Sequence, residues 1–442
     1  MGRRFVAAVA LALAVCGTAA AATTRGAGDP LEPQEWWLAA IGADPAAAPG
    51  PGVRIAIIDS GTDATHPEFA NRPNTTFVDP QTVTVGQEFH GTMVASIAGA
   101  PENGVGMAGV YPNAALDLYD ASPQGQISNL EAVADLDAAA QHCPAVINLS
   151  FGSVTQEEGI HDEVLRAVHN GCLVVAASGN QGGEGSPPTY PASWPHVLTV
   201  AATDRNGAVA SFSTASAAND IAAPGVGILG AVPLAHNAAG YESHDGTSFA
   251  APIVSAAAAW IWTVRPTLDA GQVADVLRAG ARDIPPAGFD SSSGWGLLNI
   301  PAAVSAPTPP VDPQEPNDNI DQVKPHALFS DGEPALTTAA RPSSRIAASL
   351  DAEEDPRDIY RIWVPAHRTV RVRVTSGARA AAARIWGPSA VSVDENVRER
   401  RRDLKGASIT AGAKGLNAYV DVLLTGVVER TRYVLSVTAA RR

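Results

Sequence analysis

The sequence predicts a layered α/β fold with a parallel sheet, followed by a small all-β sandwich. Between residues 53 and 303, short β-branched runs alternate with longer alanine-rich stretches, which is typical of buried parallel strands covered by helices. A proline-rich stretch over residues 301–316 has the composition of a linker. Beyond it, short β-rich runs separated by turn residues are typical of a β-sandwich.

Each run is assigned by its length and periodicity. The strand candidates of the first unit are short and apolar, at residues 53–58, 115–119, 146–149, 173–176 and 197–201. Its helix candidates carry apolar residues at helical spacing, at 92–100, 129–141, 157–170, 248–264 and 269–280. Pro252 lies in what we predict to be a first helical turn, which places that helix start near Ser248. The strand candidates of the sandwich are 359–364, 370–375, 418–424 and 433–438.

The N-terminus has the features of an export signal. Arg3 and Arg4 precede an apolar stretch over residues 5–15 and small residues over 18–22, so residues 1–22 are predicted to be a signal peptide and the mature protein to be secreted and extracellular. A transmembrane anchor is disfavoured because the apolar stretch is too short and ends in an alanine cluster. Lipid attachment at Cys16 has weak support, since Val15 stands where a small residue is expected.

Signal removal would leave two cysteines, Cys143 and Cys172, in a protein bound for an oxidising environment. Each precedes a strand candidate, so neighbouring parallel strands would bring the two side chains together. We predict a disulfide between them, and two unpaired buried thiols are the alternative.

The charge distribution argues against a nucleic-acid partner. The net charge is −15, and residues 33–306 hold 7 Arg, no Lys and 26 acidic residues. Phosphate binding requires a basic surface, whereas an acidic one keeps a secreted protein soluble. After the signal no apolar run is long enough to span a bilayer, so we expect no membrane insertion.

Three segments place a reactive side chain where a strand or helix ends. Asp59 ends an apolar strand and would emerge at the carboxyl edge of the sheet, where α/β folds hold their active sites. His90 begins a helix, and Gly91 beside it allows close packing next to the imidazole. Ser248 lies at the amino end of the long alanine-rich helix, where the dipole and free backbone NH groups favour negative charge.

Together these residue types can perform nucleophilic catalysis. A serine hydroxyl needs an imidazole to take its proton, and the imidazole needs a carboxylate to hold its tautomer and stabilise its charge. Asn180 follows a central strand and can donate to a tetrahedral oxyanion. Each signal alone is weak, since such residues are more often caps or satisfied polar groups. The combination favours catalysis.

Over residues 29–303 these segments resemble the subtilisin-like serine peptidases. The chain order Asp, His, Ser is that of subtilisin and differs from the orders in chymotrypsin and the α/β-hydrolases. The matching motifs include Ile-Ile-Asp59-Ser-Gly, His90-Gly-Thr-Met-Val-Ala, Ala-Ser-Gly-Asn180 and Gly-Thr-Ser248. The resemblance implies a subtilisin-like three-layer fold and an endopeptidase that works through an acyl-enzyme. Ser248 would be the nucleophile, His90 the general base and acid, Asp59 its orienting carboxylate and Asn180 an oxyanion donor.

The resemblance also implies where a substrate would bind. Gly125 and Gln126 match one of the family's substrate-pairing strands, and Ser150, Phe151 and Gly152 resemble the opposite one. An extended peptide between them would add as a β-strand, although an ordinary strand end is the alternative for residues 150–152. Small residues would border the pocket for the side chain before the cleaved bond, namely Ala177, Ser178 and Gly179.

The expected domain limits follow from the resemblance and the composition. They are a signal peptide at 1–22, a subtilisin-like catalytic domain at 29–305, a proline-rich linker at 306–320 and a β-sandwich at 321–442. The sandwich resembles modules that follow the catalytic domain in secreted bacterial peptidases. About a dozen residues separate the signal from the family-like start, so no folding propeptide is evident.

No cofactor is expected for catalysis, and the partners would be protein or peptide substrates of a monomer. Relatives often bind structural calcium, but no regular spacing of ligands assigns a metal site here. Two other functions compete with the peptidase. A catalytically inactive scaffold acting as a binding protein would be expected to have lost one of the four key residues. An esterase with the same triad would carry a Gly-x-Ser-x-Gly elbow, which the sequence around Ser248 does not match.

Overall fold

The structure is a computed structural model that describes residues 28–83, 89–393, 404–425, 428 and 430–441. The predicted signal peptide and Cys16 lie outside the described residues.

A seven-stranded parallel sheet forms the centre of the first unit. Its strands are β1 (Arg54–Asp59), β2 (Thr75–Phe77), β3 (Leu116–Asp120), β4 (Ala145–Leu149), β5 (Leu173–Ala177), β6 (Val197–Thr203) and β7 (Ile221–Pro224). Their order across the sheet is β2-β3-β1-β4-β5-β6-β7. All five strand predictions are confirmed within two residues at either end. The two missed strands have three and four residues, too few to show a periodicity.

Helices cover both faces of this sheet. They are α1 (Trp36–Ile41), α2 (His90–Gly99), α3 (Asn129–Ala140), α4 (Glu158–His169), α5 (Thr247–Val264), α6 (Ala270–Gly280) and α7 (Ile300–Ser305). Side chains alternate along β1, so that Ile55 and Ile57 belong to the core shared with α2, α5 and α6, whereas Ile58 belongs to the core shared with α3 and α4. The result is the predicted three-layer α/β fold.

Pro252 is the sixth residue of α5, which corrects its predicted place in the first turn. At that position the missing N–H does remove an intrahelical hydrogen bond, the one to the carbonyl oxygen of Ser248. By length and composition α5 could cross a membrane, but 83% of it is buried inside the molecule. It is the helix at the centre of the core.

Two antiparallel four-stranded sheets form the second unit. The strands are β10 (Ser343–Asp351), β11 (Arg357–Val364), β12 (Arg368–Ser376), β13 (Ala381–Trp386), β14 (Leu404–Gly406), β15 (Ser408–Thr410), β16 (Leu416–Leu424) and β17 (Arg430–Arg441). One sheet has the order β10-β17-β12-β15 and the other β11-β16-β13-β14. Apolar side chains from both sheets share one core. This architecture confirms the predicted sandwich, and a short hairpin of β8 (Ile228–Ala231) and β9 (Tyr241–His244) belongs to the first unit.

Cys143 and Cys172 form a disulfide. Each cysteine lies one or two residues before a strand, and those strands, β4 and β5, are neighbours in the sheet. The predicted pairing is therefore present, and the alternative of two free thiols is not.

The two units are in contact around the proline-rich segment. A short helix, α8 (Ile320–Val323), follows this segment. His196 of the first unit lies 2.7 Å from a carboxylate oxygen of Asp318, and Arg278 lies 3.3 Å from Glu354 at the edge of the sandwich. The domain limits given above stay predictions.

Candidate active site

The four residues predicted to carry the chemistry line one cleft of about 370 Å³. Asp59 is the last residue of β1, and His90 is the first residue of α2. Asn180 follows β5, and Ser248 is the second residue of α5. The cleft lies at the carboxyl edge of the sheet, where β1, β4 and β5 end and α5 begins.

Asp59 and His90 form the best-defined contact of the site. The Nδ1 atom of His90 lies 2.8 Å from Oδ1 of Asp59, whose side chain is 2% exposed. The backbone NH of Ser60 donates to the same carboxylate oxygen at 2.7 Å. Burial lowers the pKa of His90, but the charge of Asp59 and its hydrogen bond raise it, and the net shift is upward from 6.5. Asp59 thus fixes the ring and stabilises its protonated form.

Gly91 permits this approach, as the sequence predicted. A Cβ atom on Gly91 would lie 2.3 Å from the carbonyl oxygen of Gly61, in the turn that follows β1. The NH of Gly91 also donates to Oγ of Ser60 at 3.0 Å. Only a residue without a side chain lets the start of α2 lie against this turn.

The hydroxyl of Ser248 donates to the backbone carbonyl of Ser150 at 2.9 Å. A hydrogen bond between His90 and Ser248 is not found among the described residues. Both side chains line the same cleft, and rotation about the Cα–Cβ bond of Ser248 redirects its hydroxyl. Nucleophile-to-base bonds of this kind are often loose before substrate binds.

A buried polar chain supports Ser248 from behind. Ser150 Oγ donates to the carbonyl oxygen of Ser248 at 2.8 Å, and Asn148 Nδ2 donates to Ser150 Oγ at 3.0 Å. Ser255 Oγ, two turns along α5, donates to Asn148 Oδ1 at 2.9 Å. Asn148 and Ser255 are fully buried, so this chain is shielded from water. These roles of Asn148 and Ser255 were not predicted from the sequence.

Asn180 is oriented by Thr247, a residue that sequence reasoning missed. The Oδ1 atom of Asn180 accepts from the backbone NH of Thr247 at 3.0 Å and from its hydroxyl at 2.9 Å. The hydroxyl of Thr247 also accepts from the NH of Gly179 at 3.2 Å. Because the amide oxygen is engaged, the Nδ2 group is the one left to donate to a substrate. The signal was available, since Thr247 directly precedes the nucleophile candidate.

Most of the predicted substrate contacts line the cleft. They are Gly125, Gln126, Ser150, Phe151, Gly152, Ala177 and Gly179. Ser178 is not among the lining residues: its side chain is 2% exposed, with its hydroxyl 3.5 Å from that of Ser213. Alternation along the chain accounts for this, because side chains next to each other at a strand end point to opposite faces. The cleft also includes residues that were not predicted, namely Ser60, Ser122, Ile127, Gln181 and Thr189.

Acidic side chains with metal-ligand spacing lie outside the cleft. Asp312, Glu315 and Asp358 meet at the contact between the two units. Within the cleft, the carboxylate of Asp59 is hydrogen-bonded to His90, and Ser248 lines the same cleft. A carboxylate, an imidazole and a serine in one cleft support acyl transfer to the serine.

Comparison with known proteins gives consistent results. The model of the subtilase family matches residues 50–296. Subtilisin E of Bacillus subtilis (strain 168) is 36% identical over 260 residues, which cover 58% of this chain and 66% of that protein. The subtilisin of Bacillus pumilus is also 36% identical over 260 residues, which cover 58% of this chain and 91% of the relative.

A solved structure shares the fold. The psychrophilic subtilisin-like protease of the Antarctic psychrotroph Pseudoalteromonas sp. AS-11 aligns with a TM-score of 0.55 at 22% identity. The alignment covers 62% of this chain and 99% of that structure.

Proposed function

The chain belongs to the subtilase family, and from that premise we propose that it is a secreted serine endopeptidase that cleaves proteins through an acyl-enzyme on Ser248. The observation that carries the proposal is the Asp59–His90 hydrogen bond beside a serine at the amino end of α5, all in one cleft. The chain's subtilisin relatives support the same reaction class.

The first half of the reaction forms the acyl-enzyme. Ser248 Oγ attacks the scissile carbonyl carbon while His90 Nε2 accepts the hydroxyl proton. Asp59 stabilises the resulting imidazolium through Nδ1. Asn180 Nδ2 and the backbone NH of Ser248 hold the oxyanion, and the amino-end dipole of α5 favours the same negative charge. His90 then returns the proton to the leaving amine.

In the second half, His90 takes a proton from a water molecule whose oxygen attacks the acyl carbon, and His90 then returns that proton to Ser248 Oγ as the acyl–Oγ bond breaks. Neither half requires a cofactor.

An extended peptide is the substrate that the cleft walls support. Gly125 and Gln126 line the cleft, as do Ser150, Phe151 and Gly152, and we place the two groups on opposite walls, as the resemblance to the family implies. A β-strand placed between them would gain main-chain hydrogen bonds on both sides. Ala177 and Gly179 border the pocket for the side chain before the cleaved bond, which leaves room for a medium or large apolar group. The working form is an extracellular monomer that acts on protein or peptide substrates.

The site gives no support to the alternative of an inactive scaffold. Such a scaffold would be expected to have lost one of the four key residues, but all four are present and line one cleft. The test is casein hydrolysis by the secreted protein, with and without a serine-directed phosphonylating inhibitor. Ser248→Ala should abolish cleavage, and in subtilisin the loss on removing the serine is about 10⁶-fold in kcat. Ser243→Ala, on an exposed serine of β9, is the matched control and should keep full activity. A folded wild type that neither cleaves casein nor labels at Ser248 would overturn the proposal.

A further inference from the structure

An acidic cluster lies where the proline-rich segment meets the sandwich. Asp312 and Glu315 belong to this segment, and Asp358 is the second residue of β11. One carboxylate oxygen from each lies within 4.8 Å of those from the other two. Asp312 and Glu315 line a cavity of about 540 Å³ between the two units. This cavity shares no lining residue with the catalytic cleft.

In each of the three carboxylates one oxygen is held by a donor. Asp358 Oδ2 accepts from the hydroxyl of Tyr433 at 2.5 Å, and Asp312 Oδ2 accepts from the backbone NH of Ser349 at 2.9 Å. Glu315 Oε1 accepts from Nδ2 of Asn317 at 2.8 Å. These donors fix the orientation of all three carboxylates.

The second oxygen of each carboxylate has no hydrogen-bond donor among the described residues. These atoms are Oδ1 of Asp312, Oε2 of Glu315 and Oδ1 of Asp358, and all three are shielded from water. The side chain of Asp358 is fully buried, with an exposure of 0%. A buried carboxylate oxygen without a partner carries a large free-energy cost unless a cation or a proton lies against it.

The basic side chains that border the cavity lie against carboxylates outside the cluster, and His169 is 3.4 Å from Glu333. Arg278 binds Asp220 at 2.7 Å, and Arg430 lies 3.2 Å from Asp275. The imidazole of His196 lies 2.7 Å from Asp318, while its Nε2 is 3.9 Å from Oε2 of Glu315, beyond hydrogen-bond reach. None of these side chains donates a hydrogen bond to the three unpartnered oxygens, so a bound cation could still lie against them.

We propose that Asp312, Glu315 and Asp358 bind a calcium ion that fastens the linker segment to the sandwich. An all-oxygen ligand set selects hard cations over zinc or copper. Two oxygens that contact one calcium ion at 2.3–2.6 Å are at most about 5 Å apart, which the 4.8 Å spread satisfies. Magnesium requires a stricter octahedron and gives up its water reluctantly, so a buried cluster of carboxylates suits calcium better.

The position of this site gives the ion a structural role. It joins the segment before β10 to the first residues of β11, and Asp318 of the same segment contacts His196 of the first unit. Calcium would therefore hold the sandwich against the catalytic unit.

The experiment uses the full chain with Ser248→Ala, which prevents self-digestion, after chelation and dialysis. Calcium bound per chain is counted by equilibrium dialysis, and the melting temperature is measured with and without calcium. Asp358→Asn keeps an acceptor for Tyr433 but should bind one calcium fewer and show a smaller rise in melting temperature. Glu353→Gln, on an exposed neighbouring carboxylate, is the matched control and should bind as many ions as the parent.

Equal calcium counts in a folded Asp358→Asn chain and in the parent would overturn the proposal. So would a parent that binds no calcium at millimolar concentration, since the carboxyls would then share protons instead. Binding of magnesium without calcium would overturn the choice of ion. If Asp358→Asn does not fold, Glu315→Gln replaces it, because the side chain of Glu315 is only half-buried. Loss of one bound calcium in this variant would support the proposal, and an unchanged calcium count would overturn it.

Discussion

Ser150 donates through its hydroxyl to the carbonyl oxygen of Ser248, at a distance of 2.8 Å. In a regular helix that carbonyl would accept from the backbone NH four residues later, but residue 252 is a proline. The proline leaves the carbonyl oxygen of Ser248 without its helical donor, and the hydroxyl of Ser150, which follows β4, donates to it instead. The end of β4 is therefore linked to the backbone of Ser248, the proposed nucleophile.

Ser150→Ala is expected to lower kcat about tenfold or more. A lost hydrogen bond that leaves a buried acceptor unsatisfied costs about 1–3 kcal/mol, and here the cost falls on the position of Ser248. The rate of phosphonylation of Ser248 should fall in parallel with kcat, whereas KM should change little. Ser150→Thr, which keeps the hydroxyl, should recover most of the rate. Ser153→Ala, on an exposed serine three residues further on, should behave as wild type. An unchanged phosphonylation rate in Ser150→Ala would mean that the contact does not position the nucleophile.

Asn180→Ala should lower kcat by about 10²–10³, the loss found on removing the oxyanion asparagine of subtilisin. Its KM should stay within a few-fold, because the lost hydrogen bond forms only as the oxyanion develops. Thr247→Val should show a smaller loss of the same kind, since it removes one of the two hydrogen bonds that orient the Asn180 amide. Steady-state kinetics on a peptide anilide separate kcat from KM. A loss confined to KM in Asn180→Ala would contradict the assigned role.

The pH profile should report the imidazole of His90. This group must be neutral to accept a proton, so kcat/KM rises as pH increases through its pKa. Asp59 raises that pKa, so the acid limb of the wild-type profile should lie above 6.5. Asp59→Asn removes the two causes that raise the pKa and leaves burial, which lowers it. The limb should then move to lower pH, while the rate falls by about 10⁴, as for the corresponding change in trypsin. Asp137→Asn, on an exposed carboxylate of α3, should leave the limb in place.

The features that could be predicted from the sequence are those whose signal lies within a short stretch of residues. Asp59 ends an apolar strand, His90 begins a helix and Ser248 is the second residue of the long alanine-rich helix, so their positions at the sheet edge could be predicted from the limits of those runs. The cysteine pair could be assigned because β4 and β5 are consecutive in the chain and adjacent in the sheet. Long elements with one buried face could be predicted for the same reason.

Long-range polar contacts could not be predicted from the sequence. Asn148 and Ser255 are 107 positions apart, and nothing in either segment indicates that the other completes its hydrogen bonds. The meeting of Glu315 with Asp358 likewise depends on how the proline-rich segment crosses the sandwich. Ser178 was misplaced relative to the cleft because composition does not show which face of a strand end a side chain takes.

Gly91→Ala tests whether the start of α2 needs close contact with the turn after β1. The added Cβ would lie 2.3 Å from the carbonyl oxygen of Gly61. Neither atom can rotate away, because the Cβ position is set by the backbone of residue 91 and the oxygen is itself a backbone atom. Overpacking of this kind costs about 1–3 kcal/mol, and the displaced helix start would carry His90 away from Asp59. We expect a lower melting temperature together with a kcat/KM reduced more than tenfold. Gly183→Ala is the matched control, because a Cβ there meets no atom within 4 Å, and it should leave both quantities unchanged. Full activity in a Gly91→Ala enzyme would show that the imidazole position does not depend on this contact.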